Sequence, residues 1–339
     1  MPTGTPMSML GPLQLSGDLA GLVRCYLERQ QDTHCDLYRY LLTLAPDTRI
    51  TFSDWWAWLE RVQQRYPQRP VGLELGQLMQ PEFVGVLGYL LLACDTLADA
   101  LQGFERYQRL LHDGDRASAQ LQDGLLCLRW SNEYGPSSRL SDEVLVVGML
   151  SFIRRMTGQQ QLAPQRVHFT FAAPVTGAVE HEQACGCPVR FSQPATAIYF
   201  RPQDLALPVS QQDAGLRQLL EQQAQALLAV LPQSGEFVQR LREALLVALQ
   251  TGQPASAFVA RRLHLSERTL FRRLAEQGLT FRHVLTQIRM QLAQQYLREG
   301  RLTHSEIALL LGYSEHSAFC RAFRSACGET PGRWLASRR

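Results

Sequence analysis

The stretch LHLSERTLFRRLAEQG, residues 263–278, combines an apolar stripe with three arginines after a short turn. Leu270 and Leu274 lie four residues apart, which places both on one face of a helix. The arginines then occupy the exposed side. By itself this pattern is as typical of an ordinary solvated surface helix as of a helix built to lie in a groove of DNA.

A second copy of the pattern follows about 48 residues later. Its turn contains Gly312, which tolerates an unusual backbone angle easily, whereas His264 at the same place in the first copy does so less easily. An alanine on each first helix permits close packing against the second helix. Two helix-turn-helix motifs are therefore predicted, at residues 256–277 and 304–326. The matched positions are Val259/Ile307, Ala260/Ala308, Leu263/Leu311, Leu270/Phe319, Arg272/Arg321 and Leu274/Phe323.

Helix starts are marked in both copies. Ser266 and Ser314 are predicted as the N-caps of the two second helices. Thr303 and Glu306 have the T-x-x-E spacing of a capping box, which predicts a firm start for the first helix of the second copy.

The segment between the copies, residues 281–298, is periodic and contains neither Gly nor Pro. A helix of this length measures roughly 27 Å, and successive major-groove faces of DNA lie roughly 34 Å apart. The second helix of each motif, held in place by this connecting helix as by a rod, can therefore reach the same face of a DNA duplex. In the first copy, the outward side chains predicted to reach base edges are Arg268, Thr269, Phe271 and Arg272.

These residues resemble the AraC/XylS family of bacterial transcription regulators over about a hundred positions. The resemblance implies DNA contacts at His316, Ser317, Cys320 and Arg321 in the second copy, as well as at the arginines and Phe271 of the first. It also implies a bacterial activator that binds promoter DNA and assists RNA polymerase. The sequence departs from the family at Leu335, where an arginine is common. The matching segments are residues 266–281, 289–297, 307–323 and 328–331.

Alternatives stay open at several of these positions. Phe271 either touches a thymine methyl group or packs within the protein, and Arg321 either contacts DNA or is structural. Arg273 and Arg282 are expected to be solvated or to touch phosphates.

The first half of the chain is predicted to contain both helices and strands. Residues 17–113 are predicted to be helical, and residues 125–131, 167–172 and 197–200 are predicted strands. The predicted fold is mainly α: an α+β effector domain at 1–210, a linker helix at 211–232, and an all-α DNA-binding domain at 233–339. Of the tryptophans at 55, 56 and 58, one or two are expected in the core, and one is a candidate to line a pocket.

Residues 85–111 and 185–200 are similar to the effector-binding domain of family members that regulate ornithine and arginine use, rather than to the cupin barrel of the arabinose regulator. The resemblance implies a small-molecule effector. An amino acid, an organic acid and a fatty acid all remain candidates, with no pocket residues assigned. A homodimer is expected.

Charge supports this division of the chain. From residue 233 onward there are 16 Arg against 8 Glu, a charge of +8, and the preceding residues carry 18 Arg against 23 acids, a charge of −5. A basic half indicates a polyanionic partner. Neither a signal peptide nor a membrane-length apolar run is seen, so a cytoplasmic protein without membrane partners is expected.

No catalytic motif, metal site or cofactor is predicted. His181, Cys185 and Cys187 lie close together, but one histidine with C-x-C is a weak zinc signal without a second pair of ligands. The alternative hypothesis is a DNA-targeted repair or redox protein, which requires a reactive cysteine of low pKa in the first half.

Overall fold

The computed structural model describes residues 8–45, 48–174, 178–231 and 236–336, which divide into two compact units. Of these residues, the first unit contains 13–132 and 136–231, and the second contains 8–12, 133–135 and 236–336. The charge boundary was predicted at residues 232–236, of which 232–235 lie outside the described residues.

The first unit is an α+β structure, as predicted for this half of the chain. Its α-helices are α1 (Leu19–Arg29), α2 (Asp36–Leu42), α3 (Phe52–Arg65), α4 (Val71–Gln77), α5 (Gly85–Leu92), α6 (Leu97–Tyr107), α7 (Arg139–Thr157), α8 (Val179–Cys185) and α9 (Ala214–Val230). Its strands are β1 (Gln14–Ser16), β2 (Arg49–Thr51), β3 (Ala117–Gln122), β4 (Leu125–Trp130), β5 (Arg166–His168), β6 (Val189–Arg190) and β7 (Ala197–Phe200).

The strands form two sheets. β1 and β2 make a short antiparallel pair, and the other five form a sheet in the order β3-β4-β7-β5-β6. All neighbours in the larger sheet are antiparallel except β5 and β6, which run parallel. Within the described residues, the sheet is open, with β3 and β6 at its edges.

Helix α7 lies in the middle of the first unit and is buried on nearly all sides. It packs against α4 at a very short distance because α4 carries glycine at the contact. A Cβ atom on Gly76 would lie 2.7 Å from Cβ of Val147, closer than real Cβ atoms approach one another. Close helix packing here therefore depends on the missing side chain.

All three tryptophans of α3 are buried, more than the one or two expected in the core. Trp55 donates a hydrogen bond from Nε1 to Oγ of Ser141, 3.1 Å away. The N-cap of α3 is Thr51, which forms a capping box with Asp54.

Helix α9, within the segment predicted as a linker, packs against α5. Arg217 of α9 forms an ion pair with Asp95, with Nη1 and Oδ2 3.2 Å apart. Nε2 of Gln225 donates to the hydroxyl of Tyr107 over 3.3 Å. These contacts fix α9 on the first unit.

The second unit is all-α in its described residues. Its helices are α10 (Glu236–Gln250), α11 (Ser256–Arg262), α12 (Glu267–Glu276), α13 (Phe281–Glu299), α14 (His304–Leu310), α15 (His316–Cys327) and α16 (Pro331–Ala336). The predicted rod is α13, which packs against α10, α14, α15 and α16, and its Met290, Ala293 and Leu297 belong to the core of the second helix pair. Across the described part of the chain, none of the helices combines the length and hydropathy needed to cross a membrane.

Candidate nucleic-acid interface

The turns of the two helix pairs have the backbone geometry that the repeat predicts. His264 has φ of 57° and Gly312 has φ of 70°. After each of them the chain bonds back to the first helix of its pair, through Leu265 N–H to the carbonyl of Ala260 in one turn. His264 therefore adopts a left-handed conformation that L-residues enter at a cost.

The starts of the second helices differ between the copies. Ser266 caps α12, where its Oγ accepts a hydrogen bond from the N–H of Thr269 over 3.2 Å. The predicted cap at Ser314 is wrong, because α15 starts after Glu315, whose side chain makes no capping bond. The extra residue of the second copy thus lies in its turn. The capping box of Thr303 and Glu306 is confirmed.

On α12, the predicted contact residues lie on the side opposite the buried Leu270 and Leu274. Arg268 and Arg272 are exposed, and Phe271 is 47% exposed. The Phe271 ring meets the Phe281 ring edge to face, with centroids 6.4 Å apart, so one side of the ring is held and the other is free. Thr269 is half-buried beside the capping hydroxyl of Ser266.

On α15, His316, Ser317 and Arg321 are exposed, whereas Cys320 is half-buried. Sγ of Cys320 lies 3.3 Å from Nε2 of His316, one turn earlier on the helix. Ser317 donates a hydrogen bond from Oγ to Oε2 of Glu315 over 3.0 Å. The structure therefore places the four predicted residues of the second copy on or beside the exposed face of one helix.

Two adjacent arginines of α12, Arg272 and Arg273, have different surroundings. The guanidinium of Arg273 lies 5.8 Å from the ring centre of Phe237 on α10. Nε of Arg272 lies 3.6 Å from Oε1 of Glu276, but both side chains are largely exposed. Such a surface pair is weak, so Arg272 remains available to another anion.

Arg289 on α13 has a role that the sequence did not reveal. Its Nε donates to the carbonyl of Leu311 over 2.7 Å, and its Nη2 donates to the carbonyl of Gly312 over 2.9 Å. Its guanidinium also lies 4.5 Å from the ring centre of Tyr313. Arg289 thus anchors the turn of the second motif to the rod. The sequence signal that could have marked it is an arginine in the middle of the helix, directly between the buried Ile288 and Met290.

The first unit contains a buried acidic group at the start of α7. Oδ2 of Asp142 accepts hydrogen bonds from the hydroxyls of Thr170 and Thr196 at 3.3 and 3.2 Å. Burial raises the pKa of Asp142 to about 7. This carboxyl group therefore takes up a proton at a higher pH than an exposed aspartate does.

The neighbouring Glu143 is the partner of the buried His181. Nε2 of His181 lies 3.0 Å from Oε1 of Glu143, which also accepts from Arg139 over 2.9 Å. Burial raises the pKa of both Cys185 and Cys187 to about 12. Such thiols are the opposite of the reactive cysteine that the repair or redox hypothesis requires. In the described ranges, no three His, Cys, Asp or Glu side chains converge on a metal position.

Comparisons with known proteins match both units. A family model described as a helix-turn-helix domain matches residues 259–337. A second, described as the N-terminal arabinose-binding domain of AraC transcription regulators, matches residues 39–209, half of the chain.

Relatives match over most of the chain. It is 33% identical to the ornithine utilization regulator of Pseudomonas aeruginosa over 289 residues, 85% of this chain and 84% of that one. It is 27% identical to the regulator VqsM of the same organism over 281 residues, 76% of this chain and 81% of VqsM. Among solved structures, the regulator CdpR of Pseudomonas aeruginosa matches with a TM-score of 0.42 and 23% identity, over 93% of this chain and 97% of that one.

Paired helix-turn-helix motifs next to an effector-type domain define a DNA-binding transcriptional regulator. The chain belongs to the AraC family, with the effector domain first and the DNA-binding domain second. The predicted family, fold class and function are confirmed.

Proposed function

We propose that α12 and α15 lie in successive major grooves of one promoter duplex. The observation that carries this proposal is that both helices present an exposed face while a single 19-residue helix, α13, touches both. Its Phe281 ring meets the Phe271 ring of α12, and its other end packs against α14 and α15. The length of α13 corresponds to roughly 28 Å. One rigid element therefore sets the spacing of the two helices.

Within this arrangement, Arg268 and Arg272 bind guanine edges as two-pronged donors. The free side of Phe271 packs on a thymine methyl group. Thr269 contacts the DNA with its short side chain near the start of α12. In the second motif, the base contacts are made mainly by uncharged groups, those of His316, Ser317 and Cys320. Arg321 is the charged contact.

The effector domain controls this DNA binding through a small molecule. We propose an organic acid, an amino acid or a fatty acid as its class, a homodimer as the active assembly, and RNA polymerase as the partner at the promoter. We also propose residues 211–232 as the connection that transmits the effector signal, because α9 is fixed to the first unit and precedes the second.

The test combines selection and substitution. A duplex selected from a random-sequence pool by the full-length protein is titrated with wild-type protein and two double variants, Arg268→Ala/Arg272→Ala and Arg268→Lys/Arg272→Lys. Each lost base contact is worth about 1–3 kcal/mol. The alanine variant should lose specific affinity by about 100-fold or more.

The lysine variant separates two explanations, because it keeps both charges but loses the fork geometry. It should retain non-specific binding and lose most of the preference for the selected duplex. Exposed Arg301, which lies between α13 and α14, provides the control Arg301→Ala. Unchanged specific binding by the alanine double variant would refute the proposed interface.

A further inference from the structure

One face of the five-stranded sheet carries a group of basic side chains that the DNA-binding function does not use. The pairing register puts Arg129, Ala197, His168 and Arg190 in one row across β4, β7, β5 and β6. Directly paired residues point to the same side of a sheet. Arg129 and Arg190 therefore flank the small side chain of Ala197 and the imidazole of His168.

A second row on the same face contains Cys127, Tyr199 and Arg166. The Arg166 guanidinium lies 4.0 Å from the ring centre of Tyr199, and the His168 ring centre lies 4.7 Å from it. Cys127, Ala197 and Tyr199 form a small apolar cluster of their own. We call these two rows the arginine face and its two exposed arginines, Arg129 and Arg190, the rim. Cys127, Ala197 and Tyr199 between them are buried.

Two donors within the arginine face are buried without a partner. Nε2 of His168 and Nε of Arg166 have no hydrogen-bond partner among the described residues. His168 is only 9% exposed. Leaving such groups unpaired costs free energy, because water no longer solvates them. Burial, together with the charges of Arg166 and Arg190, lowers the pKa of His168 to about 4, so its ring is neutral near pH 7.

The charges at the rim are also poorly balanced. The side chains of Arg129 and Arg190 are exposed and form no hydrogen bond or ion pair with the described residues. Arg166 faces only Asp123, with Nη2 and Oδ2 3.6 Å apart, and the Asp123 side chain is 72% exposed. Three guanidinium groups near one neutral imidazole create a field that favours a small anion.

We propose that the arginine face binds the carboxylate of a small, non-zwitterionic organic acid, which acts as the effector. Nε2 of His168 and Nε of Arg166 donate to the carboxylate oxygens, and the exposed Arg129 and Arg190 add positive charge from either side. This assignment rests on the proposed effector control. A DNA phosphate is a poorer fit, because the two unpaired donors are buried in the sheet.

Binding of isobutyrate to the full-length protein, measured by isothermal titration calorimetry, tests the assignment. Isobutyramide has nearly the same shape without the charge and should bind at least tenfold more weakly. Arg190→Gln and Arg129→Gln should each weaken isobutyrate binding by about tenfold, because a charge-assisted hydrogen bond is lost. Arg155→Gln changes an exposed arginine at the end of α7 and should have no effect.

Other outcomes decide against the assignment. Absence of saturable isobutyrate binding, equal binding of isobutyramide, or unchanged binding by both rim variants would overturn it. Tighter binding of L-arabinose or inorganic phosphate than of isobutyrate would overturn the carboxylate class. The selected duplex is titrated with the same proteins. If the wild-type protein did not bind the selected duplex specifically, the proposed function would be refuted. If it bound the duplex but not isobutyrate, only this site would be refuted.

Discussion

Helices α12 and α15 bury the same two positions, one turn apart, but their exposed sides differ in charge. Leu270 and Leu274 fill these positions in the first motif, and Phe319 and Phe323 fill them in the second. The exposed side of α12 carries three arginines, whereas that of α15 is richer in uncharged polar groups. The buried pair and the turn maintain the motif, so the exposed side is free to take on a different recognition task in each copy.

The cores behind the two helices also differ. The second motif packs around aromatic rings, with Phe323 meeting Phe319 and Trp334 edge to face at centroid distances of 5.8 Å. The first motif relies on aliphatic side chains. Removing one buried ring from the second motif should therefore lower the free energy of unfolding more than any substitution on the surface of the first motif.

The largest expected effect is that of Phe319→Ala. Removing a fully buried ring leaves a cavity and should lower the free energy of unfolding by about 3–5 kcal/mol. The matched control is Phe271→Ala, whose ring is half exposed and should cost less than about 1 kcal/mol. Urea unfolding followed by circular dichroism measures both. Equal losses would mean that the two rings are equally important to packing, contrary to the structure.

Next is Arg289→Ala, which affects only the turn of the second motif. It removes two charge-assisted hydrogen bonds to the carbonyl groups of Leu311 and Gly312 and should cost about 1–3 kcal/mol. Hydrogen exchange at the amides of Gly312 and Tyr313 should accelerate, with no change at Leu265 in the first turn. The control Arg282→Ala removes an exposed arginine from the same helix. If both turns exchanged faster in Arg289→Ala, the anchor would not be specific to one motif.

A comparison of Arg272→Ala with Arg321→Ala sharpens the difference in recognition. If both arginines contact bases, each substitution should cost about 1–3 kcal/mol of specific DNA binding. A phosphate contact would instead weaken all sequences alike and reduce the salt slope by about 1. Fluorescence anisotropy at several salt concentrations distinguishes these results. A uniform loss for Arg272→Ala would remove it from the set of base contacts.

The smallest effects concern the two turns. His264→Gly should raise the free energy of unfolding by about 0.5–1 kcal/mol, because glycine enters the left-handed region without strain. Gly312→Ala should lower it by about 1–2 kcal/mol. The new Cβ would also lie 3.2 Å from Nη2 of Arg289. Thermal unfolding of both variants measures the contrast, and changes of the same sign would contradict it.

Much of the second unit is predictable from sequence because its signals are local. Leucine spacing marks the buried stripe, the capping box marks a helix start, and the repeat reveals that His264 and Gly312 have one conformation. Ser314 is the failure that teaches most. A serine is a good cap wherever it occurs, but the extra residue in the turn moves the helix start to Glu315.

In the first unit the decisive contacts are distant in sequence. The burial of all three tryptophans of α3 depends on which elements pack around that helix. The arginine face joins β4, β5, β6 and β7, and their order in the sheet is not the order in the chain. No spacing rule connects Arg129 with His168.

The sequence by itself determined the family and the two-motif DNA-binding half, and it predicted the residues offered to DNA, because helix periodicity and a 48-residue repeat are properties of neighbouring positions. Only the tertiary structure decided that Arg289 anchors the second turn and that His168 and Arg166 share one face with Arg129 and Arg190. These relations arise from strand order and helix packing, where free energy depends on residues that the chain brings together from far apart.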